Sequence, residues 1–296
     1  MTILVVGANG QLGWELCRQG KRPPKDVVGC DLPEVDITDP AVIERAVKSV
    51  KASVVINAAA YTAVDRAESE PDLAFAVNRD GPAVLATLCQ KVGIPLIHIS
   101  TDYVFDGEKG SPYLETDPVS PLGVYGKSKA AGEEEIRARL EQHVIVRTSW
   151  LYGIHGNNFV KTILRLAREK ETLSVVADQF GSPTNAADLA GALLDIAGRL
   201  SLGGQGKWGT YHYCNEGVTT WYGFAEEICG IAGKKENLTV RRVEPISTSQ
   251  YPTPARRPCH SALDCSMLIK DYGIKQRAWE QSLMDMLEIS PKIEHP

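Results

Sequence analysis

MTILVVGANGQLGWELCRQG (1–20) decides the fold. Residues 3–6 are a short apolar run stopped by glycine, and residues 11–20 read as a helix. Gly7, Gly10 and Gly13 therefore fall between a first strand and a first helix. A dinucleotide site needs a tight turn there, close backbone approach to a pyrophosphate, and close helix–sheet packing at a helix N-terminus. The GxxGxxG spacing differs from the GxGxxG of many dehydrogenases but meets the same needs. A glycine motif alone is weak; its strand–turn–helix setting makes it informative.

The alternation continues outward. DVVGCD (26–31), SVVINAAA (53–60), IPLIHIST (94–101) and HVIVRTS (143–149) read as further strands. Between them lie a helix at 39–50, opening on aspartate and proline, and a long helical pattern at 71–93 ended by glycine. Strands apolar on both faces that alternate with helices predict an α/β fold, a doubly wound parallel (Rossmann) sheet. Beyond residue 150 the rhythm becomes helical (157–170, 186–199, 220–232, 278–288), with strand-like pieces LSVVAD (173–178) and TYHYC (210–214) and long loops rich in Pro, Ser and Thr. The expected division is a dinucleotide-binding domain over 1–150, to which strand 173–178 returns, and a smaller, mixed substrate lobe over 151–296.

Composition bounds the function. At 296 residues, 43% hydrophobic and 23% charged, the chain suits one large or two ordinary globular domains. A net charge of −5 without a long basic run argues against nucleic acid as partner. No apolar stretch reaches a membrane span, and the four-residue apolar start lacks the basic flank of a signal peptide. Seven scattered cysteines without a C-x-x-C pair suit a reduced cytoplasmic setting and argue against a disulfide framework or zinc site.

Chemistry-bearing residues collect at strand ends. Asp31 ends the second strand, where a carboxylate can accept from the ribose hydroxyls of an adenosine; strand-end aspartates also cap turns. Asp36 and Ile37 lie where the next loop meets an adenine. Thr101 ends the fourth strand, and VYGKSKAAGEEEI (124–136) places Tyr125 and Lys129 four apart. A Tyr-x-x-x-Lys match is weak alone. Downstream of a strand-end hydroxyl and a glycine loop, it becomes a hydroxyl–phenol–ammonium set. The bland readings are a hydroxyl satisfying local backbone and a solvated lysine face.

The chain resembles the extended short-chain dehydrogenase/reductases, and within them the dTDP-4-dehydrorhamnose reductases, over essentially its whole length. GANGQLG (7–13), NAAAYTAVDRAE (57–68), STDYVFDG (100–107), YGKSK (125–129) and RTSWLYG (147–153) carry the superfamily and subfamily likeness. NNFVKTILRLA (157–167), DQFGSPT (178–184) and YPTPARRPCHSALD (251–264) are similar to the sugar reductases alone. The resemblance implies reduction of the 4-keto group of a dTDP-6-deoxy-L-sugar to dTDP-L-rhamnose by NADH or NADPH. It also implies that Tyr125 donates the proton, Lys129 favours phenolate and holds the nicotinamide ribose, and Thr101 orients the carbonyl. Cofactor contacts implied are Gly7, Gly10, Gln11, Leu12, Gly13, Asp31, Asp36, Ile37, Ala59, Ala60, Tyr61, Tyr125 and Lys129. Substrate contacts implied are Thr101, Asp102, Tyr103, Trp150 and an arginine on the diphosphate, Arg257 or its neighbour Arg256.

Two positions depart from the pattern. Many relatives carry arginine after the acid that ends the second strand; here Asp31 is followed by Leu32, Pro33 and Glu34. NADH is therefore expected to serve at least as well as NADPH. Some relatives dimerise through a magnesium cluster of glutamates; Glu15 fits one ligand, but Ala187 stands at a second, so no metal is expected. A monomer or a homodimer is compatible with the sequence. Two other readings share the superfamily: a nucleotide-sugar epimerase or dehydratase, and a non-catalytic subunit resembling the regulatory β subunit of methionine adenosyltransferase. Tyr103 in STDYVFDG, where dehydratases carry glutamate, weighs against a dehydratase, and the intact Thr–Tyr–Lys set weighs against a regulatory subunit.

Overall fold

A computed structural model of the chain describes residues 1–21, 26–201 and 206–289. The end of the expected second lobe, 290–296, lies outside the described residues. Strand β1 (Thr2–Val6) runs into helix α1 (Gln11–Gln19), then β2 (Asp26–Cys30), α2 (Pro40–Val50) and β3 (Val54–Asn57). Asp39 caps α2, its Oδ1 accepting from the backbone N–H of Ala41 (2.9 Å) and Val42 (3.1 Å). Pro40 follows at the first helical position, as the sequence signals.

The helical pattern at 71–93 is several pieces. After α3 (Val64–Ala67) come α4 (Pro71–Phe75), a π-turn (Ala76–Asp80) and α5 (Gly81–Val92). Pro82 supplies the reason: it has no N–H for the Asn78 carbonyl four residues back. Then follow β4 (Leu96–Thr101), a single 3₁₀ turn (Asp102–Val104), α6 (Val124–Arg139) and β5 (His143–Thr148).

The rest of the chain runs β6 (Leu151–Tyr152), α7 (Phe159–Glu169), β7 (Thr172–Val176), β8 (Phe180–Gly181), β9 (Thr184–Asn185), α8 (Ala186–Ser201), β10 (Gly209–His212), β11 (Thr219–Thr220), α9 (Trp221–Gly233) and β12 (Arg242–Ile246). A second 3₁₀ turn (Thr248–Gln250), α10 (Ser266–Tyr272) and α11 (Trp279–Ile289) complete it.

Six strands form one parallel sheet in the order β10-β5-β4-β3-β1-β2. Successive side chains of β1 point to opposite faces. Ile3 and Val5 pack with Leu12, Leu16 and Leu193 on one side; Leu4 and Val6 pack with Ile43, Leu85 and Ile136 on the other. Two covered faces are why these strands read as continuous apolar runs. The strand order reverses between β1 and β3, and the resulting crevice at the carboxyl edge is where open α/β sheets take ligands.

The expectation that 173–178 returns to this sheet is corrected. β7 pairs with β12, Leu173 opposite Val243, while the sixth strand of the main sheet is β10, Tyr211 opposite Val146. Leu173 and Val175 are buried and Ser174 is exposed. That is a one-sided pattern, and it covers a separate core with α7, α9 and α11. Helix α8 packs against α1 under the main sheet, so part of the chain beyond residue 150 builds the sheet layer. Among the described residues, no helix is long and apolar enough to cross a membrane.

Candidate active site and dinucleotide cleft

The turn after β1 is built for close approach. Gly7 sits at φ +87°, and its N–H donates to Cys30 O at 2.9 Å. A Cβ there would lie 2.4 Å from Ala59 N, so only glycine fits. Gly13 lies just as tightly against the Gly7 carbonyl. Gly10 caps α1 without a side-chain bond and leaves the amides of the first turn for a ligand. Gly7, Gly10, Asp31, Asp36, Ile37, Ala59 and Ala60 line one pocket of about 160 Å³ at the switch point. A glycine cradle beside a helix N-terminus fits a dinucleotide pyrophosphate.

The acids there already hold the loops. Asp31 Oδ2 accepts from Asn9 N and Oδ1 from Leu32 N, both at 2.7 Å. Asp36 Oδ1 accepts from the backbone N–H and hydroxyl of Thr38. Six expected cofactor positions lie outside this pocket's lining: Gly13 packs on the Gly7 carbonyl, Leu12 is buried in the core, Gln11 Oε1 accepts from Asn158, Tyr61 donates its phenolic proton to Glu70, and Tyr125 and Lys129 stand on the first turns of α6.

Thr101, Tyr125 and Lys129 come together at the carboxyl end of β4 and the first turns of α6. Thr101 does two local jobs: its Oγ1 accepts from Tyr103 N at 3.2 Å and donates to Asp102 Oδ1 at 3.0 Å. Gly126 allows α6 to approach this turn, because a Cβ there would meet Tyr103 O at 2.2 Å. Tyr125 thus stands edge-on to Tyr103, ring centroids 5.6 Å apart. Lys129 is 2% exposed, so a solvated-face role is excluded. Its Nζ donates to Ile99 O at 2.6 Å and lies 3.3 Å from His98 Nε2.

Burial sets the electrostatics. It pushes the Tyr125 phenol up to about 12; the Thr101 hydroxyl pulls the other way and the Asp102 carboxylate adds to the rise. At neutral pH the phenol therefore keeps its proton. Burial lowers the Lys129 ammonium to about 8, with Glu133 opposing. The Asp102 carboxyl is pushed up to about 6 by burial, against hydrogen bonds from Ser261 and Thr101.

A second pocket, about 570 Å³, is lined by Phe159, Gln179, Trp221, Tyr251 and Arg257 among others, all beyond residue 150. Trp150 and Tyr103 are not in its lining. Trp150 lies behind Trp221, the two rings stacked. The Arg257 guanidinium forks onto Asp65, NH1 to Oδ1 at 3.1 Å and NH2 to Oδ2 at 2.9 Å. Arg256 is exposed and does not line this pocket.

Among the described residues, no three His, Cys, Asp or Glu side chains converge as a metal site. Glu15 instead accepts from Arg18 and Gln19, and Gln19 ties α1 to the Ala187 carbonyl.

Four supporting residues escaped the sequence reading. Asn57 and His98 stand behind Lys129, Asn78 bridges Tyr61 to Ser128, and Trp221 faces the larger pocket. The available signal was a polar side chain inside an apolar strand, as in VVIN and LIHIS.

A family model described as RmlD substrate binding domain matches residues 1–291. The dTDP-4-dehydrorhamnose reductase of Sinorhizobium fredii is 42% identical over 283 residues, 95% of each chain. The crystal structure of a dTDP-4-dehydrorhamnose reductase from Clostridium acetobutylicum superposes with a TM-score of 0.91 at 41% identity, covering 98% of this chain and 99% of that one. The Bacillus anthracis dTDP-4-dehydrorhamnose reductase in complex with NADP gives a TM-score of 0.89 at 39% identity, covering 97% and 98%. With a parallel sheet, a glycine cradle and a buried Tyr–Lys pair in place, this chain belongs to the dTDP-4-dehydrorhamnose reductase family.

Proposed function

We propose that the chain reduces the 4-keto group of dTDP-4-dehydrorhamnose to give dTDP-L-rhamnose, using NADH or NADPH. The observation that carries this reading is the meeting of Thr101, Tyr125 and Lys129 beside the glycine-lined pocket. The reduced nicotinamide supplies a hydride when bound. Tyr125 gives its phenolic proton to the oxygen of the former carbonyl. Thr101 turns its hydroxyl from Asp102 towards that oxygen and orients it. Lys129 supports phenolate and holds the nicotinamide ribose. Gly7, Gly10 and the first turn of α1 receive the pyrophosphate, and Asp31 the adenosine ribose.

The sugar nucleotide occupies the larger pocket. Arg257, oriented by Asp65, meets the diphosphate, and Asp102, Tyr103 and Trp150 shape the sugar end. One chain supplies every group named, so a monomer suffices and a homodimer is compatible. The reading rests on family membership and on these residues together.

The test is incubation of the isolated chain with dTDP-4-dehydrorhamnose and NADH or NADPH. Nicotinamide oxidation matched one-to-one by dTDP-L-rhamnose is expected. Product formed without net oxidation identifies an epimerase or dehydratase instead, and no turnover by the isolated chain identifies a regulatory subunit.

A further inference from the structure

Asn158, at the start of α7, joins the two pockets. Its Oδ1 accepts from Lys161 N at 3.1 Å and so caps the helix. Its amide nitrogen donates to Gly153 O at 2.8 Å and to Gln11 Oε1 at 3.1 Å. The two backbone partners fix the amide orientation, because a backbone N–H only donates and a carbonyl only accepts. Gln11 is the first residue of α1, directly after the glycine turn. Phe159, next to Asn158, lines the larger pocket, as do Thr162 and Ile163 one turn on. One side chain thus holds both the helix start beside the glycine cradle and the start of the helix that walls the larger pocket.

The rest of the loop supports the same join. Residues 153–158 run from β6 to α7, and Ile154 anchors them in the core shared with α7, α9 and α11. Gly156 stands at φ +73°, and a Cβ there would come within 3.1 Å of Gln11 Cγ. His155 stacks on Trp14 of α1, ring centroids 5.2 Å apart and 6° from parallel. Its Nε2 lies 3.0 Å from Asn9 O, and a carbonyl only accepts, so Nε2 carries the proton. Asn9 in turn donates its backbone N–H to Asp31. We propose that Asn158 is a positioning residue that couples the two sites, so that a nicotinamide dinucleotide at the glycine turn tightens binding of the sugar nucleotide along α7, and the reverse. This rests on the reductase reading.

A pyrophosphate on the first-turn amides of α1 orders the backbone there, and with it the Gln11 side chain. An ordered Gln11 amide holds Asn158, and through its cap the first turn of α7. The second ligand then meets a wall that is already ordered, and loses less conformational freedom on binding. Linkage makes the effect equal in both directions. Hydride transfer needs both ligands on the chain together, and coupling raises the share of chains that hold both. A second link from α1, Gln19 to the Ala187 carbonyl, leads instead to α8, which lines neither pocket.

The test is calorimetric titration of NADH with and without saturating dTDP, which carries the nucleoside diphosphate but no keto group and so permits no turnover. In wild type, dTDP should lower the NADH Kd about tenfold, and NADH should lower the dTDP Kd by the same factor. Asn158→Ser keeps a hydroxyl to cap α7 but is too short to reach Gln11 as well. In that variant the factor should fall to about twofold or less, while each ligand alone binds within about threefold of wild type. Gln11→Met removes the same link from the α1 side, and the double variant should lose no more coupling than either single one. A merely structural Asn158 would weaken the fold, or both single affinities, and leave the coupling factor at its wild-type value. That result overturns the proposal. So does the absence of coupling in wild type, a measurement that needs no variant to fold. If dTDP does not bind at all, the reductase reading fails and the proposal falls with it; binding of both ligands without coupling sinks the proposal alone.

Discussion

Trp150 lies flat on Trp221, ring centroids 3.6 Å apart and 8° from parallel, with its own backbone at φ +46°. Positive φ is unusual for a bulky residue and costs on the order of 1–3 kcal/mol. The indole is held from both sides: Trp221 covers one face, and Gly181 lies against the other edge. The strained turn directly after β5 thereby sets Trp150 behind Trp221, which lines the larger pocket.

Gly181→Ala tests that clamp. A Cβ there would lie 2.5 Å from the Trp150 ring, so the indole must shift. Overpacking of this kind costs about 1–3 kcal/mol. KM for the sugar nucleotide should rise about tenfold while nicotinamide binding stays unchanged. Unaltered KM with an intact fold would remove Trp150 from the sugar site.

Tyr125→Phe keeps the ring against Tyr103 and removes the proton donor. Turnover should fall about 100- to 10,000-fold with both ligands still bound. Steady-state kinetics alongside fluorescence titration of the nicotinamide separates the two. Turnover equal to wild type would end the assignment of Tyr125.

Much of this site was legible in the sequence, for a physical reason. Tyr125 and Lys129 share a helix face at fixed spacing, and Thr101 ends a strand whose direction is set by its apolar run. What was not legible depends on register. Asn57 meets His98 only because β3 and β4 pair in one particular alignment. Trp221 meets Trp150 only through packing of α9 across the second lobe. The misplaced strand 173–178 shows the same limit. Its alternation fits any sheet with one covered face, and the choice of β12 as partner is tertiary.

Asp102 should make the fold depend on pH. In the folded chain its carboxyl keeps a proton up to about pH 6; in the unfolded chain it loses it near pH 4. The folded state binds the extra proton between those values, so this group's contribution falls as pH rises from 4 to 6 and stays low above. Asp102→Asn retains an acceptor for Thr101 and removes the charge. Its gain over wild type should be near zero at pH 4 and about 1–3 kcal/mol at pH 7, a rise of several degrees in Tm. A separation between the two melting curves that is constant with pH would contradict this.

The two adjacent arginines can be told apart by kinetics. Arg257 lines the larger pocket with its fork oriented by Asp65, whereas Arg256 is exposed. A charge-assisted hydrogen bond to a diphosphate is worth about 1.5–3 kcal/mol. Arg257→Met should raise KM for the sugar nucleotide about 10- to 100-fold, and Arg256→Met less than about threefold. The opposite ranking would move the diphosphate contact to Arg256.

Cofactor preference follows from the end of β2. NADP carries a 2′-phosphate of nearly two negative charges at neutral pH, and a site that favours it needs a cation there. Here Asp31 is fixed by Asn9 and Leu32, Asp36 lines the same pocket, and Glu34 stands between them. No Lys or Arg occurs from 27 to 44. Arg66, the cation beside the third strand, is engaged by Glu70 at 2.6 Å. Repulsion between the phosphate and these carboxylates is on the order of a few kcal/mol before screening. NADH should therefore give kcat/KM at least equal to that of NADPH at one ionic strength. Leu32 is 59% exposed, so Leu32→Arg adds a guanidinium next to the acid without disturbing the core. That variant should raise kcat/KM for NADPH about tenfold and leave NADH nearly unchanged. A tenfold or larger preference for NADPH in wild type would mean that a cation from elsewhere in the chain reaches the phosphate, and that the acidic loop does not set the choice.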